Sequence, residues 1–94
     1  MMSKHRFKSV WDAIEETAAE AEKMRLRSVL MIALRDYIER EGVSQAEAAR
    51  RMGVSQPRIS DLMRGKIALF GIDSLVNMLA AVGLHVEAKV YDAA

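Results

Sequence analysis

Ninety-four residues with no cysteine, one proline and a formal net charge of +1 set narrow limits on what this chain can be. The length suits one small domain, and the missing cysteines exclude a disulfide framework, thiolate metal sites and a cysteine nucleophile. The near-neutral total excludes a uniform polycation coating nucleic acid or membrane. Half of the residues are hydrophobic and only 5% aromatic, so the core is aliphatic and methionine-rich.

The chain opens with a basic stretch, Met1-Met2-Ser3-Lys4-His5-Arg6-Phe7-Lys8, and no apolar run follows it. That argues against a secretory signal, and no segment reaches the roughly 18 apolar residues of a membrane span. The expectation is a cytoplasmic protein without a membrane partner. Charge is segmental: residues 1–11 sum to +3, residues 12–22 to −5, and residues 44–66 to +3. The small total is therefore a cancellation.

Helical periodicity dominates. Val10, Ile14 and Ala18 form a short stripe on an acidic helix for which Ser9 is the expected N-cap. Leu26, Leu30, Ala33, Leu34, Tyr37 and Ile38 recur at spacings of three and four, predicting a longer amphipathic helix that ends at Gly42. Ser44 precedes Gln45-Ala46-Glu47 in capping-box order, starting a short helix to Met52. Gly53 breaks it. Ser55 caps the next helix, which begins Gln56-Pro57 and stops at Gly65. A last helix carries Ile72, Leu75, Val76, Leu79 and Val82, with Asp73 in its first turn and Gly83 after it. In the tail Leu84, Val86, Ala88 and Val90 alternate with polar residues, predicting one β-strand that pairs across a homodimer. The expected organisation is an N-terminal arm and acidic helix (1–23), a helical bundle (24–83) and a C-terminal strand and tail (84–94).

Residues 44–65 meet the physical demands of a helix-turn-helix. Two short helices crossing steeply need a small residue at the contact, which Ala49 supplies. The turn needs a residue tolerant of positive φ, which Gly53 supplies. Val54 plugs the angle, and Ile59 and Leu62 face the core. Gln56, Arg58, Ser60, Asp61 and Arg64 remain for the outer surface, where polar side chains reach base edges.

The stretch resembles the Cro/C1-type (XRE) helix-turn-helix, with the pattern Gln-Ala-Glu-x-Ala-x-x-x-Gly-Val-Ser-Gln-x-x-Ile-Ser-x-Leu-x-x-Gly. The resemblance implies an all-α, lambda-repressor-like bundle of about five helices that binds double-stranded DNA as a homodimer on an inverted-repeat operator. It implies base contacts from Gln56, Arg58, Ser60 and Asp61, and phosphate contacts from Ser44, Gln45, Ser55, Arg64 and Lys66. An amide at position 56 suits adenine. Pro57 departs from the family by removing a side chain that could itself bond a base. Asp61 either accepts from a cytosine amino group or pairs with Arg58 or Arg64. Arg50 and Arg51 are either phosphate clamps or a solvated face.

Phe7-Lys8-Ser9-Val10-Trp11-Asp12-Ala13-Ile14-Glu15, Leu30-Met31-Ile32-Ala33-Leu34-Arg35-Asp36-Tyr37-Ile38, Asp61-Leu62-Met63-Arg64-Gly65-Lys66-Ile67 and Leu69-Phe70-x-Ile72-Asp73-x-Leu75-Val76-x-Met78-Leu79 are together similar to HigA-type antitoxins. That similarity implies a repressor that also neutralises a basic RelE/HigB-type toxin, with Trp11, Ile14 and Glu15 on the acidic block as its docking surface. The alternative is a phage- or plasmid-type repressor without a toxin. A third class is an interaction module that no longer binds DNA. No phosphate loop, nucleophile–base pair or metal-spaced ligand cluster is present, so neither an enzyme nor a cofactor or metal is expected.

Overall fold

The computed structural model describes the backbone of residues 2–92 and the side chains of residues 17–92. Four α-helices and one short 3₁₀ turn make up the described chain: α1 (Met2–Glu41), α2 (Gln45–Met52), α3 (Gln56–Met63), the 3₁₀ turn Ile67–Leu69 and α4 (Ile72–Ala81).

The sequence predicts two helices before residue 42, and the structure has one of 40 residues. Ser9 accordingly lies inside α1 and is no N-cap. The reason is local. No glycine or proline occurs before Gly42, and residues 15–27 are mostly strong helix formers. The switch from acid to base at residue 23 reads as a boundary, but on a helix it joins turns. Lys23 bonds Glu20 at 3.4 Å and Arg25 bonds Glu22 at 2.7 Å, both at i,i+3 spacing. A helix of this length spans about 60 Å at 1.5 Å per residue, matching the 60 Å long axis of the molecule.

Among the described side chains of α1, the buried ones begin at Leu30. The helix packs chiefly on α4, while α2 packs on α3 and α4. Leu30, Met31, Leu34, Tyr37 and Ile38 of α1 are buried together with Ala48, Ala49, Met52, Ile59, Leu62, Phe70, Leu75, Met78 and Leu79. Three methionines thus fill the core as expected for a chain poor in aromatics. Residues 17–26 are exposed all round, and Leu26, predicted to face the core, is 42% exposed. Met78, absent from the predicted stripe, is buried where the predicted Val76 is exposed.

Between the helices the turn chemistry follows the sequence closely. The Ser44 hydroxyl accepts from the backbone N–H of Glu47 at 3.1 Å. The reciprocal arm of the expected capping box is absent, because the Glu47 carboxylate turns to Arg50 and Arg51 instead. Gly53 adopts φ +70° and its N–H donates to the carbonyl of Ala49, so α2 stops and the chain turns sharply into α3.

The C-terminal strand is not formed. No strand occurs among the described residues, and 84–92 run as irregular backbone. A strand requires a ladder partner, and no other segment of the described chain is extended to provide one. The tail instead folds back along α1, lining first a groove with Val29, Leu30 and Ala33 and then one with Leu26 and Val29. Of the alternating residues Leu84, Val86, Ala88 and Val90, only Leu84 packs against the core, while Val86 is 38% and Val90 96% exposed.

Candidate nucleic-acid interface

Two consecutive short helices present their N-termini on one side of the bundle. Ser55 caps α3 by accepting from the N–H of Arg58 at 3.3 Å, and Pro57 sits in the first turn, where no intrahelical donor is lost. Each capping serine uses its hydroxyl oxygen as acceptor, which leaves the O–H proton available to donate. Ser44 and Ser55 can therefore hold their helices and contact an anion together.

On α3 the residues Gln56, Pro57, Ser60, Asp61 and Arg64 follow i, i+1, i+4, i+5 and i+8 spacing, which places them on one face. With Gln45 from the start of α2 they line an open concavity of about 470 Å³. Its floor is the α2–α3 contact, fixed by buried Ala48 and Ala49 on one helix and fully buried Ile59 and Leu62 on the other. The side chains are ordered by their neighbours. Arg64 Nη2 donates to Ser60 Oγ at 3.1 Å, and Asp61 Oδ1 lies 3.7 Å from Arg64 Nη2 and 3.6 Å from Lys66 Nζ. The surface is thus a shallow recess rimmed by amide, hydroxyl and guanidinium donors.

Comparison with known proteins agrees with this geometry. The helix-turn-helix domain family matches residues 13–91. A solved XRE family transcriptional regulator is 34% identical, with 79% of this chain and 83% of that chain covered and a TM-score of 0.71. The chain belongs to the XRE helix-turn-helix family. No curated protein matches it.

Within this XRE protein the predicted site residues do not all come together. Gln45, Gln56, Ser60, Asp61 and Arg64 share the concavity, and Lys66 joins them through Asp61. Arg58 does not. Its Nη1 donates to the Leu69 carbonyl at 2.8 Å and its Nη2 to Ser74 Oγ at 3.1 Å. The guanidinium lies 4.1 Å from the centre of the Phe70 ring. This side chain ties the first turn of α3 to the segment entering α4. Helical geometry explains the direction, since Arg58 is about 200° round α3 from Gln56 at about 100° per residue. It is also one turn before the fully buried Leu62. The partner could not be read from the sequence, because Phe70 lies 12 residues away beyond a 3₁₀ turn.

Arg50 and Arg51 are likewise engaged inside the chain. Arg51 donates through Nε to Glu47 at 2.9 Å and through Nη1 to Tyr37 Oη at 3.1 Å and Glu41 at 3.0 Å. Arg50 Nε donates to Glu47 at 2.9 Å. Bonded first by Arg50 and then by Arg51, the Glu47 carboxyl is lowered to about 2. The same contacts, Glu47 first, hold the Arg51 guanidinium above its ordinary value. This network fastens the end of α1 to α2 and was missed by sequence reasoning, which weighed only solvent or phosphate for these arginines.

The side chains of Trp11, Ile14 and Glu15 lie outside the described residues. Further along the acidic block, Glu20 and Glu22 are already paired with Lys23 and Arg25. No helix among the described residues is long and apolar enough to cross a membrane.

Proposed function

We propose that this protein is a sequence-specific transcriptional repressor that inserts α3 into the DNA major groove. The observation that carries the reading is the concavity shared by Gln45 at the start of α2 and by Gln56, Ser60, Asp61 and Arg64 along one face of α3 and its C-cap. Gln56, on the first turn of α3, reads a base through its amide, for which adenine offers matching N6 and N7 groups. Ser60 and Asp61 add polar contacts along the same face. Ser44, Gln45, Ser55, Arg64 and Lys66 hold phosphates on either side and set the register. Arg58, named by the sequence as a base reader, supports the interface from behind by fixing the angle of α3.

Two copies binding as a homodimer would read an inverted repeat, with half-sites one helical turn or a small multiple apart. The test begins with selection of binding sites from random duplex DNA by the full chain. The expected result is a two-fold symmetric site. Gln56→Ala should then lose about 1–3 kcal/mol of discrimination between that site and random duplex. Equal losses on both DNAs refute its base-reading role.

An additional role as the antitoxin of a RelE/HigB-type module is favoured by one observation: every residue from 17 to 26 of α1 is exposed, and only the tail lies against the last turns of that stretch. A helix stretch that is polar all round is either laced by its own ion pairs or covered by a partner. A basic toxin is the occupant that the acidic 12–22 block suits.

A further inference from the structure

Asp61 stands out on the α3 surface because it is the one acid among the residues lining the concavity. Its side chain is only 25% exposed, whereas Arg64 and Lys66, which flank it, are 62% and 48% exposed. Its Oδ1 lies within 3.7 Å of both cations. The other three arginines of the helix-turn-helix have partners elsewhere: Arg58 is held by Leu69 and Ser74, and Arg50 and Arg51 by Glu47. A single oxygen therefore faces the two cations that our DNA-binding reading assigns to phosphate.

That position has two electrostatic consequences. In the free protein the carboxylate is the anion that lies beside both Arg64 and Lys66. When DNA arrives, the cations exchange their partner, and the carboxylate is left against a polyanion in a partly desolvated interface. An unpaired charge in such a setting is costly. The cost falls where the groove offers a hydrogen-bond donor to the carboxylate, and cytosine N4 is such a donor in the major groove.

We propose that Asp61 is a specificity-determining residue that acts as a built-in competitor for phosphate. It weakens binding to DNA in general and is relieved only on a site presenting an amino donor to its carboxylate. The inference rests on the DNA-binding reading, and the experiment separates the two. Asp61→Asn keeps the shape and removes the charge. Affinities of the wild type and Asp61→Asn are measured for the selected site and for random duplex over a range of salt. The expected result is binding to random duplex tightened by about tenfold, with the site-to-random ratio falling by about as much. Because the two pairs are long, at 3.7 and 3.6 Å, and their cations are about half-exposed or more, they add little stability, and the variant should melt within a few degrees of wild type. In an Arg64→Ala background the gain on random duplex should shrink, since one of the competed cations is gone. Unchanged or weaker binding of folded Asp61→Asn to random duplex overturns the proposal while leaving the DNA reading standing. A wild-type chain that binds no duplex even at low salt overturns both.

Discussion

Replacing Arg58 by alanine separates a support from a reader. The guanidinium makes two charge-assisted hydrogen bonds, to the Leu69 carbonyl at 2.8 Å and Ser74 Oγ at 3.1 Å, and stacks 4.1 Å from the Phe70 ring centre. Hydrogen bonds to a charged group contribute about 1.5–3 kcal/mol each when well shielded. The half-exposed setting lowers that, while a cation over a buried ring adds about 1 kcal/mol. The sum expected for Arg58→Ala is about 2–3 kcal/mol of folding stability, or roughly 10–20 °C in Tm for a domain of this size. Arg58→Lys should recover about half, because an ammonium keeps the charge above the ring but cannot fork to both oxygens. The assay is thermal unfolding by circular dichroism, joined to DNA binding well below the transition. There the variant should lose affinity on selected and random duplex in similar proportion, because tilting α3 disturbs phosphate and base contacts alike. Phe70→Leu supplies a double-mutant cycle with Arg58→Ala, expected to show coupling of about 1 kcal/mol. An Arg58→Ala protein that melts with the wild type but no longer tells the selected site from random DNA refutes this reasoning and returns Arg58 to the groove.

Two further outcomes follow from the geometry. The Glu47 carboxyl, lowered to about 2 by its bonds to Arg50 and Arg51, ionises more readily in the folded chain than at its ordinary value of 4.5. Its contribution is therefore fully present above about pH 4.5 and lost as pH falls toward 2; Glu47→Gln should flatten the Tm-against-pH curve in that window, and an unchanged slope would show that the network carries no linkage. Deleting residues 1–22 should leave melting and DNA affinity near wild type, because the buried core of the described residues begins at Leu30, and should abolish binding of a RelE/HigB-type toxin in calorimetry; undiminished toxin affinity removes the α1 docking surface.

The helix-turn-helix was legible because its signals are short-range and redundant. Ser44, Gly53, Ser55, Pro57 and Gly65 each constrain backbone within a few residues, and the bounds of α2 and the start of α3 follow from them alone. The face of α3 was legible to the same degree as its period: Gln56, Ser60 and Arg64 fall on it by spacing. Arg58 was placed on it by polarity rather than by angle, and the period already pointed elsewhere. What no local rule reveals is the partner across a loop. Phe70 for Arg58 and Glu41 with Tyr37 for Arg51 are set by how α3 meets the segment entering α4 and how α1 meets α2.

Length-scale also explains the two larger departures, at α1 and at the tail. A change of charge sign looks like a boundary when segments are summed, yet on a helix opposite charges three residues apart join neighbouring turns, as Glu20–Lys23 and Glu22–Arg25 do. The tail is the reverse case. Its period of two is a valid strand pattern, but a strand is a property of a pair, and a single chain without a second extended segment cannot express it. Segment charge keeps one robust meaning. The +3 of residues 44–66 contains seven charged groups, and the structure sorts them by role. Glu47 pairs with Arg50 and Arg51 along α2, and Arg58 is held at Phe70. Only Asp61, Arg64 and Lys66 remain on the side of the concavity. The net charge of the three groups at the concavity itself is therefore +1 around one carboxylate, a third of the segment total. On a surface with so few cations, that single acid has correspondingly more influence over which sequences bind.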